Sequence, residues 1–382
     1  NKLICNIDLV TDNSLTTAER AQYKAEAKIF RAMVMFDMVR LWGDFPVITT
    51  VADDITSENI DEVYPQYFPK QNTELEAYQQ IEKDLLDAVL YAPDNTPGNK
   101  TLFSKSVART LLAKIYAEKP LRDYTKVIQY CDEVKEDGFD LVDDFSDLFG
   151  MNAAGTDAKM RNTKESILEA QFTSGAGNWC TWMFGRDLVN WNNNFTWAKW
   201  VTPSRDLISA FKQEGDEVRF KESIVYYDCN WSNYYPSDNY PFMYKCRSAN
   251  SSIIKYRYAD VLLLKAEALI MQDTPDLEGA ADIIDEVRDR AKLGALPTSV
   301  RSNKNVLLNA LLKERRLELA FEGQRWFDLV RLDKVEEVMN AVYAKDSGRK
   351  AQIYTFDKNS YRLPIPQSVI DANDKIHQNP GY

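Results

Sequence analysis

The sequence predicts a mainly α-helical protein with a large irregular region in its middle and little β-structure. Three observations support this fold class. Apolar residues recur at spacings of three and four near both ends of the 382-residue chain, as on one face of an α-helix. Two similar helical segments, at 111–117 and 262–268, indicate an internal repeat. Between residues 150 and 250 the helical periodicity is mostly lost.

Two long helices are predicted in the first quarter of the chain. Residues 15–42 carry apolar residues at helical spacing, and Thr16 with Glu19 offers a capping box at the start. Gly43 is expected to end this helix. Residues 73–91 repeat the apolar pattern and predict a second helix.

The internal repeat suggests paired helices. LLAKIYA at 111–117 resembles LLLKAEA at 262–268, and each is followed by a turn and a helix with DEV, at 132–134 and 285–287. The unit is close to the helix–turn–helix period of about 34 residues in tetratricopeptide repeats. Such pairs cannot bury their apolar faces alone and must stack. The pattern is also compatible with chance similarity between two helices.

The densest charge pattern is ERRLELAFEGQRWFDLVR at 314–331. The i,i+3 pairs expected on a helix are Arg315–Glu318, Glu322–Arg325 and Arg325–Asp328. Arg315 also lies on a leucine stripe, so we expect it to be partly buried, and a buried guanidinium needs carboxylate partners. We interpret the block as a charge network that holds two helices at a fixed angle, in preference to an anion site.

The middle region, 150–250, has a different composition. Five of the eight tryptophans of the chain fall within 179–200. Thr202-Pro203 predicts a helix start, residues 222–228 predict a short strand, and most of the remainder is predicted to be ordered loop. So many large aromatic residues argue against disorder.

The tryptophans of this region are interleaved with asparagines, and this mixture suits a sugar. Buried asparagine needs every donor and acceptor satisfied, so the mixture fits a wet surface better than a core. A pyranose stacks its C–H face on an aromatic ring, and its hydroxyls bind amide or guanidinium groups. The predicted platforms are Trp179, Trp182, Trp191, Trp197, Trp231 and Tyr235, and the predicted hydrogen-bonding side chains are Asn192, Asn193 and Arg186.

Charge and motifs argue against several functions. The net charge of −11 repels phosphate backbones, so no nucleic-acid partner is expected. No apolar run is long enough to span a bilayer. The single histidine, His377, lies near the C-terminus and is poorly placed as a catalytic base. Without zinc, nucleotide or hydrolase motifs, we expect no catalysis, no metal and no cofactor.

The cysteines and the N-terminus are less informative. The five cysteines form no CxxC motif, and both a disulfide among the three between 180 and 246 and free thiols are compatible with the sequence. The first ten residues are not typical of a signal peptide. We expect either a cytoplasmic protein or one whose leader has been removed.

Four segments stand in a fixed order along the chain. They are AEAKIFRAMVMFDMVRLWGDFPVIT at 25–49, KYRYADVLLLKAEAL at 255–269, the charged block at 314–331, and YRLPIPQSVIDANDKIHQNPGY at 361–382. In combination they resemble the SusD/RagB family of nutrient-binding outer-membrane lipoproteins. The first segment resembles the first long helix of the family, and the last its Pro-Ile-Pro and Gln-Asn-Pro-Gly-Tyr ending.

The resemblance implies a single SusD-like domain over 1–382. About four tetratricopeptide-like helix pairs would form a scaffold from 1–149 and 251–382, and residues 150–250 would form an irregular, ligand-facing insertion. Loops corresponding to 44–71 and 175–250 would hold the ligand. Because the first loop has no tryptophan, the side chains that could serve there are Asp53, Asp54 and Tyr64.

The resemblance also implies a function without chemistry. The protein would be a cell-surface glycan-binding protein on the extracellular face of the bacterial outer membrane, and it would deliver oligosaccharides to a SusC-like TonB-dependent porin. Membrane attachment would use a lipid anchor that this chain does not contain, since Cys5 lacks lipobox surroundings.

Two alternatives remain open on the sequence. A helical glycoside hydrolase would also line a cleft with aromatic residues, although no carboxylate pair can be singled out among the 58 acidic residues. A tetratricopeptide-like scaffold that binds peptides would keep its aromatic residues for packing.

Overall fold

The computed structural model describes residues 1–173, 188–190, 202–229, 235–345 and 355–382. The chain is mainly helical, as predicted. In chain order the α-helices of the described residues are α1 (Lys2–Asn6), α2 (Thr17–Trp42), α3 (Ile60–Val63), α4 (Glu74–Tyr91), α5 (Lys105–Ala117), α6 (Tyr124–Glu136), α7 (Ser146–Phe149), α8 (Arg205–Glu214), α9 (Glu217–Ser223), α10 (Tyr258–Met271), α11 (Leu277–Arg290), α12 (Thr298–Arg301), α13 (Lys304–Glu318), α14 (Arg325–Arg331), α15 (Val335–Lys345) and α16 (Gln367–Ala372). The strands are β1 (Ser166–Ala170), β2 (Ile224–Tyr227), β3 (Tyr240–Met243) and β4 (Ile253–Arg257).

The first two long helices, α2 and α4, confirm the prediction and pack against each other. α2 begins with the predicted capping box between Thr16 and Glu19, and α4 begins with a second one between Thr73 and Glu76. Each box satisfies backbone N–H groups that a helix start leaves without partners. α2 ends at Gly43, whose φ of +72° lies in the region that favours glycine.

The next helices also pack in pairs. α5 packs against α6 and α10 against α11, and contacts between α4 and α5, α6 and α10, and α10 and α13 join successive pairs. The two repeat segments of the sequence lie within α5 and α10. A continuous apolar core, with fully buried Leu111, Ile115, Leu263 and Ile284, runs through these pairs. The pairs therefore bury their apolar faces against one another, as stacking requires.

Two short antiparallel sheets join the helices in the described part of the chain. β1 pairs with β4, and β2 pairs with β3 in a hairpin that places Tyr227 opposite Tyr240. β2 confirms the strand predicted at 222–228, and α8 confirms the helix predicted after Thr202-Pro203. The hairpin follows α9 directly, so its position depends on how α9 is held.

The block at 314–331 is a structural charge network, as interpreted from the sequence. The side chain of Arg315 is 1% exposed. Its Nη2 donates to Asp260 at 2.7 Å, and its Nε donates to Asp328 at 2.9 Å. Arg315 therefore joins α13 to α10 and α14.

The pairs expected from helical spacing are wrong. Arg315 and Glu318 lie on the same helix, but Arg315 pairs with Asp260 and Asp328 instead. Glu322 lies between α13, which ends at Glu318, and α14, which begins at Arg325. Glu322 instead accepts hydrogen bonds from Arg257 at 2.7 and 2.8 Å. Arg325 donates to the carbonyl oxygen of Leu312 at 2.9 Å.

A second set of buried charges, the Glu318 network, comprises Glu165, Arg219, Arg257, Arg290 and Glu318. The carboxylate of Glu318 accepts hydrogen bonds from all three arginines, which lie on α9, β4 and α11. Glu165 accepts from Arg257 at 2.7 Å and from Arg290 at 3.0 Å. Each member of the network is 7% exposed or less. The network therefore joins segments that are distant in sequence.

The charges of the Glu318 network depend on one another. Burial alone would raise the pKa of Glu318, because a charged carboxylate loses its hydration. Arg290, Arg257 and Arg219 outweigh burial and hold this pKa well below its ordinary value. If one partner were removed, the others would be left as uncompensated buried charges, which is strongly destabilising.

We expect Glu318→Gln to lower the free energy of unfolding by about 3–5 kcal/mol, because it leaves buried arginines without their shared carboxylate. Urea unfolding followed by circular dichroism measures this loss. The matched control is Glu337→Gln, which removes a surface pair with Lys334 and should change the free energy by less than about 1 kcal/mol. Equal losses in the two variants would contradict the role given to Glu318.

Stability should also depend on pH through Asp260. Burial alone would raise its pKa, but Lys114 and Arg315 outweigh burial and lower it well below its ordinary value. Because the folded pKa lies below the unfolded one, ionised Asp260 stabilises the protein fully above about pH 4 and progressively less as the pH falls through the folded value. We therefore expect Asp260→Asn to cost more stability at pH 6 than at pH 3.

Urea unfolding of wild type and Asp260→Asn at both pH values tests this expectation. Asp87→Asn is the control, because Asp87 pairs with Lys28 at the surface and its loss should matter little at either pH. A cost of Asp260→Asn that is the same at pH 3 and pH 6 would show that its ionisation does not differ between the folded and unfolded states.

Candidate ligand-binding surface

Aromatic side chains pack together at the hairpin of β2 and β3. The ring of Tyr240 lies 5.2 Å from that of Phe242 and 5.6 Å from that of Tyr235, the latter edge to face. Tyr227 adds a further ring 6.2 Å from Phe242. Aromatic side chains prefer these offset and edge-to-face arrangements. Tyr240 and Phe242 are buried, and Tyr227 and Tyr235 are half-buried, so the cluster is a small packed core that holds the hairpin rigid.

Two further segments are tied to this hairpin. The backbone N–H of Leu188 donates to the carbonyl oxygen of Arg247 at 2.8 Å, and the hydroxyl of Tyr227 donates to the carbonyl oxygen of Leu188. The hydroxyl oxygens of Thr202 and Tyr240 are 2.9 Å apart. The described residues on both sides of 191–201 are thus held at the same hairpin.

The described residues between β2 and β3 are held by hydrogen bonds of the same kind. The hydroxyl of Tyr235 donates to the carbonyl oxygen of Pro203 at 2.7 Å. The backbone N–H of Cys229, which is buried, donates to the carbonyl oxygen of Ser237. The described residues on both sides of 230–234 therefore also lie at the hairpin.

Most of the site residues that the sequence predicts lie outside the described residues. They are Trp179, Trp182, Arg186, Trp191, Asn192, Asn193, Trp197 and Trp231. Tyr235 is described, and it is half-buried. The guanidinium carbon of Arg205 lies 4.7 Å from the centre of its ring, close enough for a cation–π contact. Tyr235 thus meets a cation on its ring and Tyr240 at its side.

An open groove of about 940 Å³ lies beside this cluster. It runs between α8, α13 and α15, and Arg205 belongs both to its lining and to the contact with Tyr235. Its polar lining includes Ser204, Asp206, Gln213, Lys313, Arg316 and Glu337. The volume is within the range of small-molecule sites. The groove therefore offers many hydrogen-bonding side chains next to aromatic rings.

The charges of the groove are largely matched. Nη2 of Arg316 lies 2.7 Å from a carboxylate oxygen of Asp206, and Glu337 pairs with Lys334. Burial, with the nearby Arg316, lowers the pKa of Arg325 behind the groove to about 10. The arrangement suits binding of hydroxyls by paired charged groups. Sequence reasoning missed the groove because α8 lies far from α13 and α15 along the chain and meets them only in the fold.

The loop at 44–71 exposes aromatic residues of its own. Tyr64 is 52% and Tyr67 50% exposed. The ring of Tyr64 lies 4.9 Å from that of Phe68, and the hydroxyl of Tyr67 donates to the carbonyl oxygen of Asp53 at 3.1 Å. Tyr64 is therefore available to a ligand, whereas the role of Asp53 and Asp54 stays a prediction.

Three further observations on the described residues concern the predictions about a metal site, a membrane span and a catalytic histidine. None of their histidine, cysteine and acidic side chains form a group of three that could hold a metal ion. None of their helices is both long and apolar enough to cross a membrane. The backbone N–H of His377 donates to the side chain of Gln71, and the residue is exposed.

Comparisons with protein families match both ends of the chain. A model described as "SusD family" matches residues 238–382, and a model described as "Starch-binding associating with outer membrane" matches residues 3–117. The matched segments contain α2 and the block at 314–331, and the second description associates such proteins with the outer membrane.

Individual proteins are similar over most of the chain. SusD-like protein P2 of Formosa agariphila is 28% identical, over 100% of this chain and 78% of its own length. The starch-binding protein SusD of Bacteroides thetaiotaomicron is 24% identical, over 99% of this chain and 76% of its own length. A SusD-like protein of Bacteroides ovatus is 26% identical, over 86% of this chain and 62% of its own length.

Solved structures show the same fold. A laminarin-binding SusD-like protein superimposes with a TM-score of 0.74 at 24% identity, covering 100% of this chain and 83% of its own. A SusD superfamily protein of Parabacteroides distasonis superimposes with a TM-score of 0.76 at 23% identity, with the same coverage of 100% and 83%. The described helices and strands thus follow the SusD-like fold.

Fold, family models and relatives agree, and the resemblance drawn from the sequence is confirmed. Members of this family are non-catalytic binding proteins, so the prediction that the chain is not an enzyme is confirmed as well. The chain belongs to the SusD/RagB family.

Proposed function

We propose that the protein is a cell-surface glycan-binding protein that delivers oligosaccharides to a TonB-dependent porin. The observation that carries this proposal is the convergence at one hairpin of the residues that flank the tryptophan-rich segments. Residues 188–190, 202–203, 229 and 235 all lie at the hairpin of β2 and β3, beside the polar groove. The predicted platforms Trp191, Trp197 and Trp231 lie within a few residues of these positions along the chain.

The chemistry of this surface suits a glycan. Aromatic rings bind the C–H faces of sugar rings, and the paired arginine, lysine and carboxylate side chains of the groove offer both donors and acceptors to hydroxyls. Each stacked ring contributes about 0.5–1.5 kcal/mol beyond its buried area. Two or three such contacts give dissociation constants on the order of micromolar to millimolar. Weak binding of this kind suits a protein that must release its ligand.

The relatives support the same ligand class. One is described as starch-binding and another as laminarin-binding, and starch and laminarin are both glycans. We propose that this chain also takes a glycan, held by Trp179, Trp182, Trp191, Trp197, Trp231 and Tyr235 with Asn192, Asn193 and Arg186. The exposed Tyr64 in the loop at 44–71 would extend this surface.

The family supports a proposal for the scaffold and the location of the protein. We propose that the helix pairs are tetratricopeptide-like units, that the protein lies on the extracellular face of the outer membrane, and that a lipid anchor holds it there. The outer-membrane description of the matching family model supports this placement. A SusC-like porin would then receive the glycan that the surface has captured.

Substitution of two predicted platforms tests the site. In affinity gels that contain starch or laminarin, we expect Trp191→Ala and Trp197→Ala each to weaken retention several-fold, because a lost stacking contact costs about 1 kcal/mol. Tyr91→Ala is the matched control, since Tyr91 is 54% exposed on α4 and should leave retention unchanged. If wild type binds and both tryptophan variants bind equally well, the predicted site is wrong and the peptide-binding alternative gains support.

Incubation with a glycan panel separates binding from chemistry. We expect the wild-type protein to bind at least one glycan without producing new reducing ends, because we propose that its surface binds glycans without hydrolysing them. A reducing-end assay with a glycoside hydrolase as positive control measures this. Turnover by the purified protein would support the hydrolase alternative and overturn the proposal.

A further inference from the structure

A second cleft lies away from the candidate glycan surface. It encloses about 400 Å³ between the C-terminal part of α2, the chain after β3, strand β4 and the turn between α13 and α14. It shares no lining residue with the groove beside the hairpin. At its edge Asp37 and Lys255 each keep about a third of their side chains exposed, so small molecules can reach it.

The walls of this cleft are largely apolar. Phe149, Met243 and Ile254 line it and are 9% exposed or less. Phe321 and Phe327, from the turn after α13 and from α14, complete the apolar lining. A pocket with mostly apolar walls and a few convergent polar groups is the usual form of a small-molecule site.

Arg40 lines the cleft, and one of its donor nitrogens makes no hydrogen bond to the described residues. Arg40 is 6% exposed, and its guanidinium lies 4.0 Å from the ring centre of Phe36 and 3.9 Å from that of Phe327. Its Nη2 donates to Asp37 at 2.6 Å, and its Nε makes a long contact of 3.4 Å with the carbonyl oxygen of Phe36. Nη1 makes no hydrogen bond to the part of the chain that the structure describes.

Lys245 also lines the cleft and has one donor that makes no hydrogen bond to the described residues. Nζ of Lys245 donates to Glu322 at 2.6 Å and to the carbonyl oxygen of Glu318 at 2.9 Å. An ammonium group has three donors, so within the described part of the chain one of them stays without an acceptor. The side chain of Lys245 is 5% exposed.

The carboxylates of the cleft, in contrast, are already used. The two oxygens of Glu322 accept from Lys245 and from two nitrogens of Arg257. The two oxygens of Asp37 accept from Arg40 and from Lys255. The cleft therefore has cationic donors that the described residues do not fully use but no unpaired carboxylate, and this favours a ligand that supplies a charged acceptor.

From this geometry we infer that the cleft binds a small organic acid with an apolar body, whose carboxylate is held by Arg40 and Lys245. The apolar body packs against the phenylalanine side chains of the walls. Neither carboxylate of the cleft repels the acid strongly, because each is compensated by two cations. The site is independent of the glycan surface.

The surroundings of Lys245 couple this binding to pH. Burial lowers the pKa of Lys245 to about 8, with Arg257 adding to the lowering and Glu322 and Glu318 opposing it. Phe145 and Phe149 cover the ammonium group on the other side, at 5.3 and 4.7 Å. Only the protonated lysine attracts an anion, so affinity for the acid falls as the pH rises through about 8.

Benzoate is the probe for this site, because it joins a carboxylate to a ring that fits the cleft. We expect saturable binding to the wild-type protein by isothermal titration calorimetry at pH 7, at about millimolar concentration or below. Benzamide has the same shape without the charge and should bind at least tenfold more weakly. Benzoate affinity should fall severalfold between pH 7 and pH 9.5.

Two variants locate the binding. Lys245→Met should weaken benzoate binding at least tenfold, whereas Lys212→Met, which removes an exposed lysine of α8, should leave it unchanged. Because Lys245 also contacts Glu318, a second variant, Ile253→Trp, fills the cleft from β4 without touching a charge. It too should abolish binding. Thermal unfolding confirms that each variant is folded.

Three outcomes with benzoate and benzamide would overturn the inference. They are an absence of saturable benzoate binding to wild type, equal binding of benzamide, and unchanged benzoate binding in folded Ile253→Trp. Glucuronate is the last probe, because it carries the same carboxylate on a hydroxylated ring. Tighter binding of glucuronate than of benzoate would show that the cleft selects an acidic sugar and not an apolar acid.

Discussion

The buried carboxylate of Glu318 is the point on which the rest of the structure depends. It accepts hydrogen bonds from arginines on α9, β4 and α11, and its backbone carbonyl oxygen accepts from Lys245. Arg219 lies just before β2 and Lys245 just after β3. Both ends of the hairpin are therefore fixed to the end of α13 by charged side chains. Since these groups are shielded from water, their attraction is strong and their separation is costly. The position of the candidate glycan surface follows from this arrangement.

Much of the fold could be predicted from local sequence signals. The helical spacing, the capping box at Thr16 and the break at Gly43 each act over a few residues, and the structure confirms the helices that they predict. The structural role of the block at 314–331 was also predictable, since a guanidinium on a leucine stripe requires carboxylates. Its partners were not predictable, because α13 ends at Glu318 and the true partners come from α10, α14 and β4. Local spacing contains no information on such distant contacts.

The candidate sites also have features that the sequence could predict and features that it could not. Composition indicated a sugar surface between residues 150 and 250, but most of the chosen tryptophans and asparagines lie outside the described residues, so both the region and the choices stay predictions. Composition also cannot show which aromatic rings are already in contact with other side chains. The ring of Tyr235, for example, contacts both Arg205 and Tyr240. Neither the groove nor the second cleft could be predicted, because each is lined by segments that only the fold brings together. The two places suit different ligands: paired charges beside aromatic rings favour hydroxyls, whereas free donors behind phenylalanine walls favour an apolar acid.

The central claim is that the Glu318 network sets the position of the hairpin and hence of the surface above it. Amide hydrogen exchange of the native protein, followed by mass spectrometry, tests this most directly in Glu318→Gln, provided that the variant remains folded. We expect peptides covering 224–243 to lose protection, whereas peptides covering α2 and α4, which do not contact the network, exchange as in wild type. Unchanged protection of the hairpin in the variant would contradict the account.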